Sequence, residues 1–402
     1  MKKKIISMIT ALACAVCAVG VMPATDDMAS AESYSDDFSY GDYLKYHKVN
    51  EDNDRSYDYI EISECDRTAQ SVVIPDMIDG LPVKSIGSNA FRWCTIKSIE
   101  ISKKVQSIGE RAFDDCSNLE SIVIPYGVKS INSGTFAGCK SLKSVSIPKS
   151  VRQIGTNAFR ECGSLESLVI PNGVKEFNGW VFLDCKNLKT ISIPSTITYV
   201  SYEAFSGCSS LKSIKLPDGV TKIEGGAFSN CSSLMSFDIP KGISDITNNM
   251  FLGCSGIKDI TVPDNVKSID YNAFANCTNL SNITIYNPDC KIDDSRGTIS
   301  NGKDDSNYYY NGTISGYVNS TAQEYAEGRN YKFVSLGEKP TEINGDSNGD
   351  GVLNVRDAAY IARMLANGKG KDIPIIADFN GDNKVDVRDA AAIARYLAKS
   401  HK

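Results

Sequence analysis

Histidine is almost absent from the sequence. The 402 residues include only His47 and His401, which lie towards opposite ends of the chain. Histidine is the side chain most often used for proton transfer near neutral pH, and it is also a common zinc ligand. Its scarcity argues against histidine-based catalysis and against a zinc site.

The chain also lacks an excess of positive charge. Its formal net charge is −6. Nucleic acids and anionic membrane surfaces attract clusters of Lys and Arg, so this mildly acidic balance gives no support for either partner. We therefore expect no binding to nucleic acids.

Long apolar runs are missing beyond the first residues. Residues 5–21 form a largely apolar run of 17 positions, fewer than the roughly 20 that a membrane-spanning helix needs. Three lysines precede this run and Ala29-Ser30-Ala31 follows it, a pattern typical of a cleaved secretory signal peptide. We therefore expect residues 1–31 to be a signal peptide, the protein to be secreted, and the rest of the chain not to span a membrane.

Cysteine, in contrast, is abundant and regularly spaced. Nine of the 13 cysteines lie three residues after a phenylalanine, and these pairs recur after 22 residues once and after 23 residues thereafter. Around each pair runs Ala-Phe-x-x-Cys-x-x-Leu-x-x-Ile-x-Ile-Pro-x-x-Val-x-x-Ile. The pairs are Phe91 with Cys94, Phe113 with Cys116, Phe136 with Cys139, Phe159 with Cys162, Phe182 with Cys185, Phe205 with Cys208, Phe228 with Cys231, Phe251 with Cys254, and Phe274 with Cys277.

This period predicts a mainly β fold, a leucine-rich-repeat solenoid built from 23-residue coils. Repeats of about 20–29 residues with Leu-x-x-Ile-x-Ile strands are typical of that architecture. A single coil cannot bury its own apolar side, whereas stacked coils share one continuous core. Nine coils at about 4.8 Å each would form a slab about 43 Å long.

The repeats resemble the BspA-like leucine-rich repeats of bacterial surface proteins. The resemblance covers about residues 72–290, and residues 312–334 look like the C-terminal cap of that family, where we expect strands and turns. We assign residues 72–336 to the solenoid with its cap and residues 32–71 to an N-terminal cap, in which residues 43–49 and 57–63 alternate as a hairpin would. The resemblance implies binding or adhesion and no enzyme chemistry.

The repeated cysteines invite a question about disulfides. Equivalent positions in stacked coils lie about 5 Å apart, within disulfide range, but their side chains point the same way, which is a poor geometry for bridging. We therefore predict a ladder of buried thiols that act as small apolar residues. Cys65 and Cys290 lie outside the ladder and are the candidates for a disulfide if one forms.

The solvent side of the predicted strands is small and polar and carries few aromatic residues, so it gives little signal for a ligand. Its residues are Ser98, Glu100, Ser121, Val123, Ser144, Ser146, Ser167, Val169, Thr190, Ser192, Ser213, Lys215, Ser236, Asp238, Asp259, Thr261, Asn282 and Thr284. Other aromatic residues, Tyr126 and Tyr271 among them, lie in the variable half of the coil. Trp180, Tyr199 and Tyr202 come from neighbouring coils and form either a patch or scattered surface residues.

Two copies of one acidic pattern occupy the C-terminal part of the chain. Residues 346–357 and 378–389 carry oxygen-bearing side chains at loop positions 1, 3, 5, 9 and 12, which is the ligand spacing of an EF-hand-type calcium loop. Position 7 would donate its backbone carbonyl, and position 6, where the chain turns, holds Gly351 and Asn383. The predicted ligands of two Ca²⁺ ions are Asp346, Asn348, Asp350, Val352, Asn354 and Asp357, and Asp378, Asn380, Asp382, Lys384, Asp386 and Asp389.

A similar helical sequence follows each loop. An isolated acidic surface turn could imitate one loop, but two loops 32 residues apart, each followed by the same helix pattern, argue against that alternative. In the first helix Ala358, Ile361, Ala362 and Leu365 share one face, and Ala390, Ile393, Ala394 and Leu397 do so in the second.

This duplicated segment resembles a type I dockerin, a small all-α module with two EF-hand-like loops and Asp at position 12. We assign residues 337–344 to a linker and residues 345–402 to the dockerin. The resemblance implies calcium-dependent docking onto a cohesin module of a scaffoldin, as in cellulosomes. The expected contact residues are Val355, Arg356 and Arg363 in the first half and Val387, Arg388 and Arg395 in the second.

The combination predicts a secreted, non-catalytic accessory protein of a cellulosome-like, polysaccharide-degrading complex, attached to a scaffold that is free or on the cell surface. The repeat slab would bind a protein or a glycan. One alternative is a glycoside hydrolase component, which would need two carboxylates converging in a cleft; the acids of residues 90–290 instead occupy repeat positions that other coils fill with Ser, Asn or Lys. Another alternative is a surface adhesin or structural spacer.

Overall fold

The computed structural model describes residues 33–34, 37–51, 56–304, 307–339, 344–350, 352–382 and 384–400. The predicted signal peptide, residues 1–31, lies outside these ranges and stays a prediction. Within them, every helix is too short or too polar to cross a lipid bilayer.

The N-terminal part forms an antiparallel group of strands. Its strands are Ser33–Tyr34, Phe38–Tyr40, Leu44–Asn50 and Tyr59–Cys65. Leu44–Asn50 pairs antiparallel with Tyr59–Cys65, so the predicted hairpin is present within two residues of its expected bounds. Tyr59–Cys65 then pairs in parallel with Leu81–Ile86, a strand that also pairs antiparallel with Met77–Ile78. The hairpin therefore covers the first edge of the solenoid.

The predicted strands of the repeat form one parallel column along the solenoid. Between Thr190–Ser192 and Asp259–Val262 the column continues as a single bridge between Ser213 and Ser236. The strands are Ser71–Val73, Ser98–Glu100, Ser121–Val123, Ser144–Ser146, Ser167–Val169, Thr190–Ser192, Asp259–Val262, Asn282–Ile285, Thr313–Gly316 and Lys332–Ser335.

A second parallel column, which the sequence pattern did not predict, runs along another side of the coils. Apart from Leu81–Ile86, each of its strands has two residues, and the second of them points into the core. The strands are Leu81–Ile86, Ser107–Ile108, Ser130–Ile131, Gln153–Ile154, Glu176–Phe177, Tyr199–Val200, Lys222–Ile223, Asp245–Ile246, Ser268–Ile269 and Lys291–Ile292. A mainly β solenoid of about 23-residue coils is confirmed.

The repeated phenylalanines form a continuous stack through the core. All nine are fully buried. Neighbouring rings lie 5.0–5.9 Å apart between centroids, with interplanar angles of 7–25°. These distances fall in the range of favourable aromatic pairs, so each coil fixes the position of the next.

The repeated cysteines form a second ladder beside the rings. From Cys116 to Cys277, each thiol donates a hydrogen bond to the carbonyl oxygen of the phenylalanine one coil earlier, at 2.9–3.2 Å. All eleven cysteines of the described residues are buried and free. The predicted ladder of buried thiols is therefore confirmed.

A disulfide between Cys65 and Cys290 is excluded. Cys65 ends a strand in the N-terminal hairpin, whereas Cys290 lies beyond the last Phe-Cys repeat. The coils between them, at about 4.8 Å each, separate the two residues by roughly 40 Å, and a disulfide needs Cα atoms within about 7 Å. Cys65 instead adjoins the ladder, because its carbonyl oxygen accepts the Cys94 thiol at 3.5 Å.

The C-terminal cap contains a helix, Thr321–Glu327, so the expectation of strands and turns alone is wrong there. Ser320 caps its first turn by accepting a hydrogen bond from the amide of Gln323 at 3.3 Å. Tyr325 and Ala326 are buried, together with Ala322, three and four residues earlier. That spacing places them on one helical face, which closes the end of the core. A separate hairpin pairs Gly302–Asp304 with Asn307–Tyr309.

The ladder thiols should be unreactive in the folded protein. Burial raises the pKa of Cys185, Cys231 and Cys277 to about 12, and the reactive species is the thiolate. Alkylation followed by peptide mass spectrometry should leave Cys116 to Cys277 unmodified under native conditions and modify them all in denaturant. Rapid native alkylation of any of these thiols would contradict the buried ladder.

Candidate metal centre and partner surface

The C-terminal module is built from two helices and two short 3₁₀ turns. The helices are Val355–Ala366 and Val387–Ser400, and the turns are Gly370–Asp372 and Ile375–Ala377. Its fully buried centre is small and consists mainly of Ile361, Ile393 and Ala377. Ala362 and Ala394, expected on the core faces, are exposed. The two helices bury a narrower stripe than the pattern predicted, because one isoleucine from each fills the centre.

Side-chain oxygens of the first loop bend the backbone around one point. The Asp346 carboxylate accepts from the Gly349 amide at 2.8 Å, the Asn348 oxygen accepts from the Asp350 amide at 2.8 Å, and the Asp350 carboxylate accepts from the Val352 amide at 3.0 Å. The second loop repeats these three contacts from Asp378, Asn380 and Asp382. The predicted side-chain ligands at positions 1, 3 and 5 are therefore gathered along the inner side of each turn.

A glycine at loop position 4 makes each turn possible. Gly349 and Gly381 have φ values of 73° and 77°, in the left-handed region that favours glycine. The sequence interpretation assigned the turn to position 6, where Gly351 and Asn383 lie outside the described residues. Glycine at the same position in both loops was the signal that could have identified position 4.

The aspartate at position 12 closes each loop onto its helix. Asp357 is fully buried and accepts amide hydrogen bonds from Ser347 at 3.0 Å, Asn348 at 3.3 Å and Asn354 at 2.8 Å. Because a buried carboxylate is costly unless it is paired or hydrogen-bonded, these donors account for its position. Asp389 is buried in the same way and accepts from Asn380 and Asp386 at 3.1 and 2.9 Å.

The two loops differ at position 9. Asn354 caps the first helix by accepting from the Arg356 amide at 2.8 Å. Its counterpart, Asp386, also binds the Arg388 side chain at 2.6 Å, and the same guanidinium lies 2.9 Å from Asp382. Hydrogen bonds from Arg388 lower the pKa of Asp386 to about 2. The second loop therefore has one more carboxylate than the first, and the Arg388 guanidinium pairs with two of its carboxylates.

The donor chemistry of both loops fits a hard divalent cation. Every predicted ligand atom is an oxygen, and Ca²⁺ prefers six to eight oxygens in flexible geometry. Among the described residues, no three acidic, cysteine or histidine side chains cluster tightly enough to hold a metal by themselves. A calcium ion would therefore need the full set of predicted ligands in each loop. That set includes asparagine side-chain oxygens and the backbone carbonyls of Val352 and Lys384 as well as the carboxylates.

The predicted contact residues lie on an exposed helical surface that occurs twice. Val355 and Val387 are 69% and 65% exposed. Each is followed by an exposed arginine, and a second exposed arginine lies eight residues after the valine on the same face. The two sets are Val355, Arg356 and Arg363, and Val387, Arg388 and Arg395.

The solenoid surface also matches the sequence interpretation. The strand residues predicted to face solvent are exposed, except that Thr284 is partly buried. Of the three aromatic residues from neighbouring coils, Trp180 and Tyr202 are in contact, with ring centroids 4.4 Å apart. Tyr199 lies instead under Lys222, 5.6 Å from its amine. The patch thus reduces to one aromatic pair.

These features define a leucine-rich-repeat solenoid followed by a module of two duplicated loop-helix units. The model of the BspA type leucine rich repeat region matches residues 65–189 and 181–295 in six copies, which is more than half of the chain, so the chain belongs to that family. The dockerin type I domain matches residues 344–398. Type I dockerin domains generally bind calcium, and dockerin and BspA-type proteins are typically extracellular or on the cell surface.

Solved structures of bacterial leucine-rich-repeat proteins resemble the chain. A leucine-rich repeat protein from Bacteroides ovatus is 30% identical over 69% of this chain and 70% of that chain, with a TM-score of 0.61. A leucine rich repeat protein from T. pallidum is 32% identical over 50% of this chain and 92% of that chain, with a TM-score of 0.45. A comparison with curated protein sequences finds no match.

Calcium removal should loosen the dockerin and leave the solenoid intact. Without a cation the carboxylates of each loop repel one another, and the small core cannot offset this repulsion. Hydrogen exchange of the full chain in EDTA should become at least about tenfold faster in Val355–Ala366 and Val387–Ser400. The solenoid strands are the internal control, and equal exchange with and without calcium would contradict the prediction.

Proposed function

We propose that this chain is a secreted, non-catalytic accessory protein of a cellulosome-like, polysaccharide-degrading complex. Its dockerin binds a cohesin module of a scaffoldin in a calcium-dependent way, and its repeat slab presents a surface that binds a protein or a glycan. The observation that carries the proposal is the pair of equivalent exposed surfaces, each directly after a loop with calcium-ligand spacing.

One Ca²⁺ ion binds in each loop. The first is held by Asp346, Asn348, Asp350, Val352, Asn354 and Asp357. The second is held by Asp378, Asn380, Asp382, Lys384, Asp386 and Asp389. When bound, the ions neutralise the loop carboxylates, which lets the loops keep their shape. The loops in turn set the first turn of each helix, where Val355 and Arg356, and Val387 and Arg388, lie.

The duplicated surface offers a cohesin two almost equal footprints. A partner that recognises Val355, Arg356 and Arg363 can recognise the equivalent residues after a rotation of about half a turn. Arginine is well suited to such contacts because its planar fork pairs with carboxylates through two hydrogen bonds. Arg388 already pairs with Asp382 and Asp386, whereas Arg356 has no ion pair within the described residues. The two footprints are therefore equivalent in sequence but differ in their local contacts.

The attachment to a catalytic complex does not require catalysis by this chain. Both matched modules are of non-catalytic types, and no enzyme domain is detected. The purified protein should therefore release no reducing sugar from cellulose, xylan or pectin. Reproducible hydrolysis that is lost when a single solenoid acid is replaced would favour the glycoside hydrolase alternative instead.

Two double variants test the two footprints. Arg356→Ala with Arg363→Ala should remove the first, and Arg388→Ala with Arg395→Ala should remove the second. Either one should weaken cohesin binding only a few-fold, because the other footprint remains. The quadruple variant should lose binding by at least about a hundredfold, since it removes arginine anchors from both. Calorimetric titration against the cohesin measures this.

A single binding mode predicts another pattern. One double variant alone would then abolish cohesin binding, and the other would bind like the parent. Hydrogen exchange of the dockerin serves as the control for folding, because all four arginines are exposed and their removal should leave the helices protected.

A further inference from the structure

Both tryptophans of the chain occupy backbone positions that disfavour them. Trp93 and Trp180 have φ values of 63° and 56°, in the left-handed region that is unfavourable for large side chains. Each coil has two such positions, two residues before and two residues after its phenylalanine. Trp180 occupies the first and Trp93 the second, and most other coils fill both positions with Gly, Asn or Asp. Strained residues of this kind persist where the surroundings hold them, and they often mark functional sites.

The position of Trp93 has a local explanation. Its ring lies 4.0 Å from the Arg92 guanidinium and 4.9 Å from that of Arg67. Two such contacts can hold the indole in place. Trp180 has a different environment. Its ring packs edge-on against Tyr202, and its indole nitrogen donates to the Glu203 carboxylate at 3.3 Å. Trp180 therefore holds two consecutive residues of the next coil.

Those two residues form one wall of a notch in the solenoid surface. The coil after Tyr202-Glu203 has Gly225-Gly226 at the same positions, and the coil after that has Asn248-Asn249. The missing side chains leave a cavity of about 640 Å³ between the two flanking coils. We call this cavity the aromatic notch and define it by Tyr202, Glu203, Gly225, Gly226 and Asn248.

The coils before and after Tyr202 both have a glycine at its position, and these two glycines create the shape of the notch. A Cβ atom on Gly179, one coil earlier, would lie 3.1 Å from the Tyr202 ring. Gly179 thus lets the ring lie close to the backbone beside Trp180. On the other side, a Cβ atom on Gly225 would lie 2.6 Å from the Asn248 side-chain oxygen. The Asn248 amide therefore reaches over Gly225 into the notch, opposite the tyrosine.

Most of the lining is polar and neutral, and its three charged side chains are Glu203, Lys222 and Glu224. It adds the neutral side chains of Ser206, Ser229, Asn230, Thr247 and Asn249. The two charges beside Gly225 neutralise each other, because the Lys222 amine lies 2.8 Å from the Glu224 carboxylate. Glu203 remains as an acceptor held by the indole. An exposed aromatic ring beside convergent amide and hydroxyl groups suits a ligand with a flat apolar face and many hydroxyls.

We propose that the aromatic notch is a binding site for a neutral polysaccharide, with a sugar ring stacked on Tyr202 and its hydroxyls bonded to Asn248, Glu203 and the neighbouring amides. Trp180 is a positioning residue. This assignment rests on the proposed role of the slab as a binding surface. The cavity volume falls within the usual range of small-molecule sites, about 300–1,000 Å³, whereas a stable protein interface buries roughly 800 Å² on each partner.

A second notch on the same face provides a contrast. It has a volume of about 250 Å³ and lies around Ser133-Gly134, in a coil that also has a glycine at the left-handed position. Charged residues, Arg111, Asp115 and Arg160 among them, line it, and it has no aromatic side chain. A gap in the repeat alone does not produce a sugar site. The aromatic wall and the neutral amides distinguish the notch at Gly225.

Affinity electrophoresis of the full chain tests the proposal directly. The gels would contain hydroxyethylcellulose, xyloglucan, arabinoxylan or galactomannan, with polygalacturonate as the charged comparison. At least one neutral polymer should retard the protein. Tyr202→Thr should weaken retardation about tenfold through the lost stacking. Gly225→Thr should abolish it by filling the notch. Thr156 occupies the same coil position as both residues. At Gly225 the added side chain also displaces the Asn248 amide, because a Cβ atom there would lie 2.6 Å from its oxygen.

Two further variants separate binding from folding. Trp180→Asn should be at least as stable as the parent, because asparagine tolerates the left-handed backbone, and yet should bind more weakly because Tyr202 loses its support. Tyr271→Thr is the matched control. Tyr271 is an exposed tyrosine at the coil position of Tyr202. The preceding coil has Asn248 at that position, whereas the coil before Tyr202 has a glycine. Replacing Tyr271 should therefore leave retardation unchanged.

The possible outcomes divide clearly. Retardation that is lost in Tyr202→Thr and Gly225→Thr and kept in Tyr271→Thr supports the notch. Retardation that persists in Tyr202→Thr overturns the notch while leaving the slab a glycan binder. No retardation by any neutral polymer overturns the assignment to polysaccharide, as does a purified protein ligand whose binding depends on Tyr202. Cohesin binding, measured on the same variants, reports on the dockerin separately.

Discussion

The solenoid depends on one carbonyl oxygen in each coil. From Phe91 to Phe251, the phenylalanine carbonyl accepts both the amide of the cysteine in its own coil and the thiol of the cysteine in the next. Phe136, for example, accepts the Cys139 amide at 3.3 Å and the Cys162 thiol at 3.2 Å. With the stacked rings beside it, this contact fixes the spacing between coils. A cysteine oxidised to a disulfide could not donate it, which gives the free thiols a structural role beyond filling space.

Because the inner ladder fixes the spacing, the outer turns are free to vary. Two residues of a coil's turn have positive φ, and across the coils these positions hold Gly, Asn, Asp, Glu, Arg or Trp. A left-handed backbone costs about 1–2 kcal/mol for an ordinary residue, a small amount beside the burial of a phenylalanine and its neighbours in every coil. The core can therefore tolerate Trp180, and the two glycines one coil after Tyr202-Glu203, without a break in the repeat.

The periodic parts of the structure could be predicted from sequence, and the local exceptions could not. Phe and Cys at a constant period specify the core, and the spacing of oxygens in residues 346–357 specifies a loop. The second strand column was missed because two residues are too few to show alternation. The helix Thr321–Glu327 was missed because seven residues give a weak helical pattern. The contact between Trp180 and Tyr202 was left open, since it depends on the missing side chain of Gly179.

Both modules place their distinctive chemistry where one copy of a repeat departs from the others. In the solenoid, one coil has a tyrosine and a glutamate at two positions where the next coil has two glycines. This difference between neighbouring coils leaves a cavity. In the dockerin, Asn354 is replaced by Asp386, and the added carboxylate binds Arg388, an arginine whose counterpart Arg356 makes no such ion pair among the described residues. In each case the repeated unit supplies a fixed backbone, so a single changed side chain is enough to make equivalent positions chemically different.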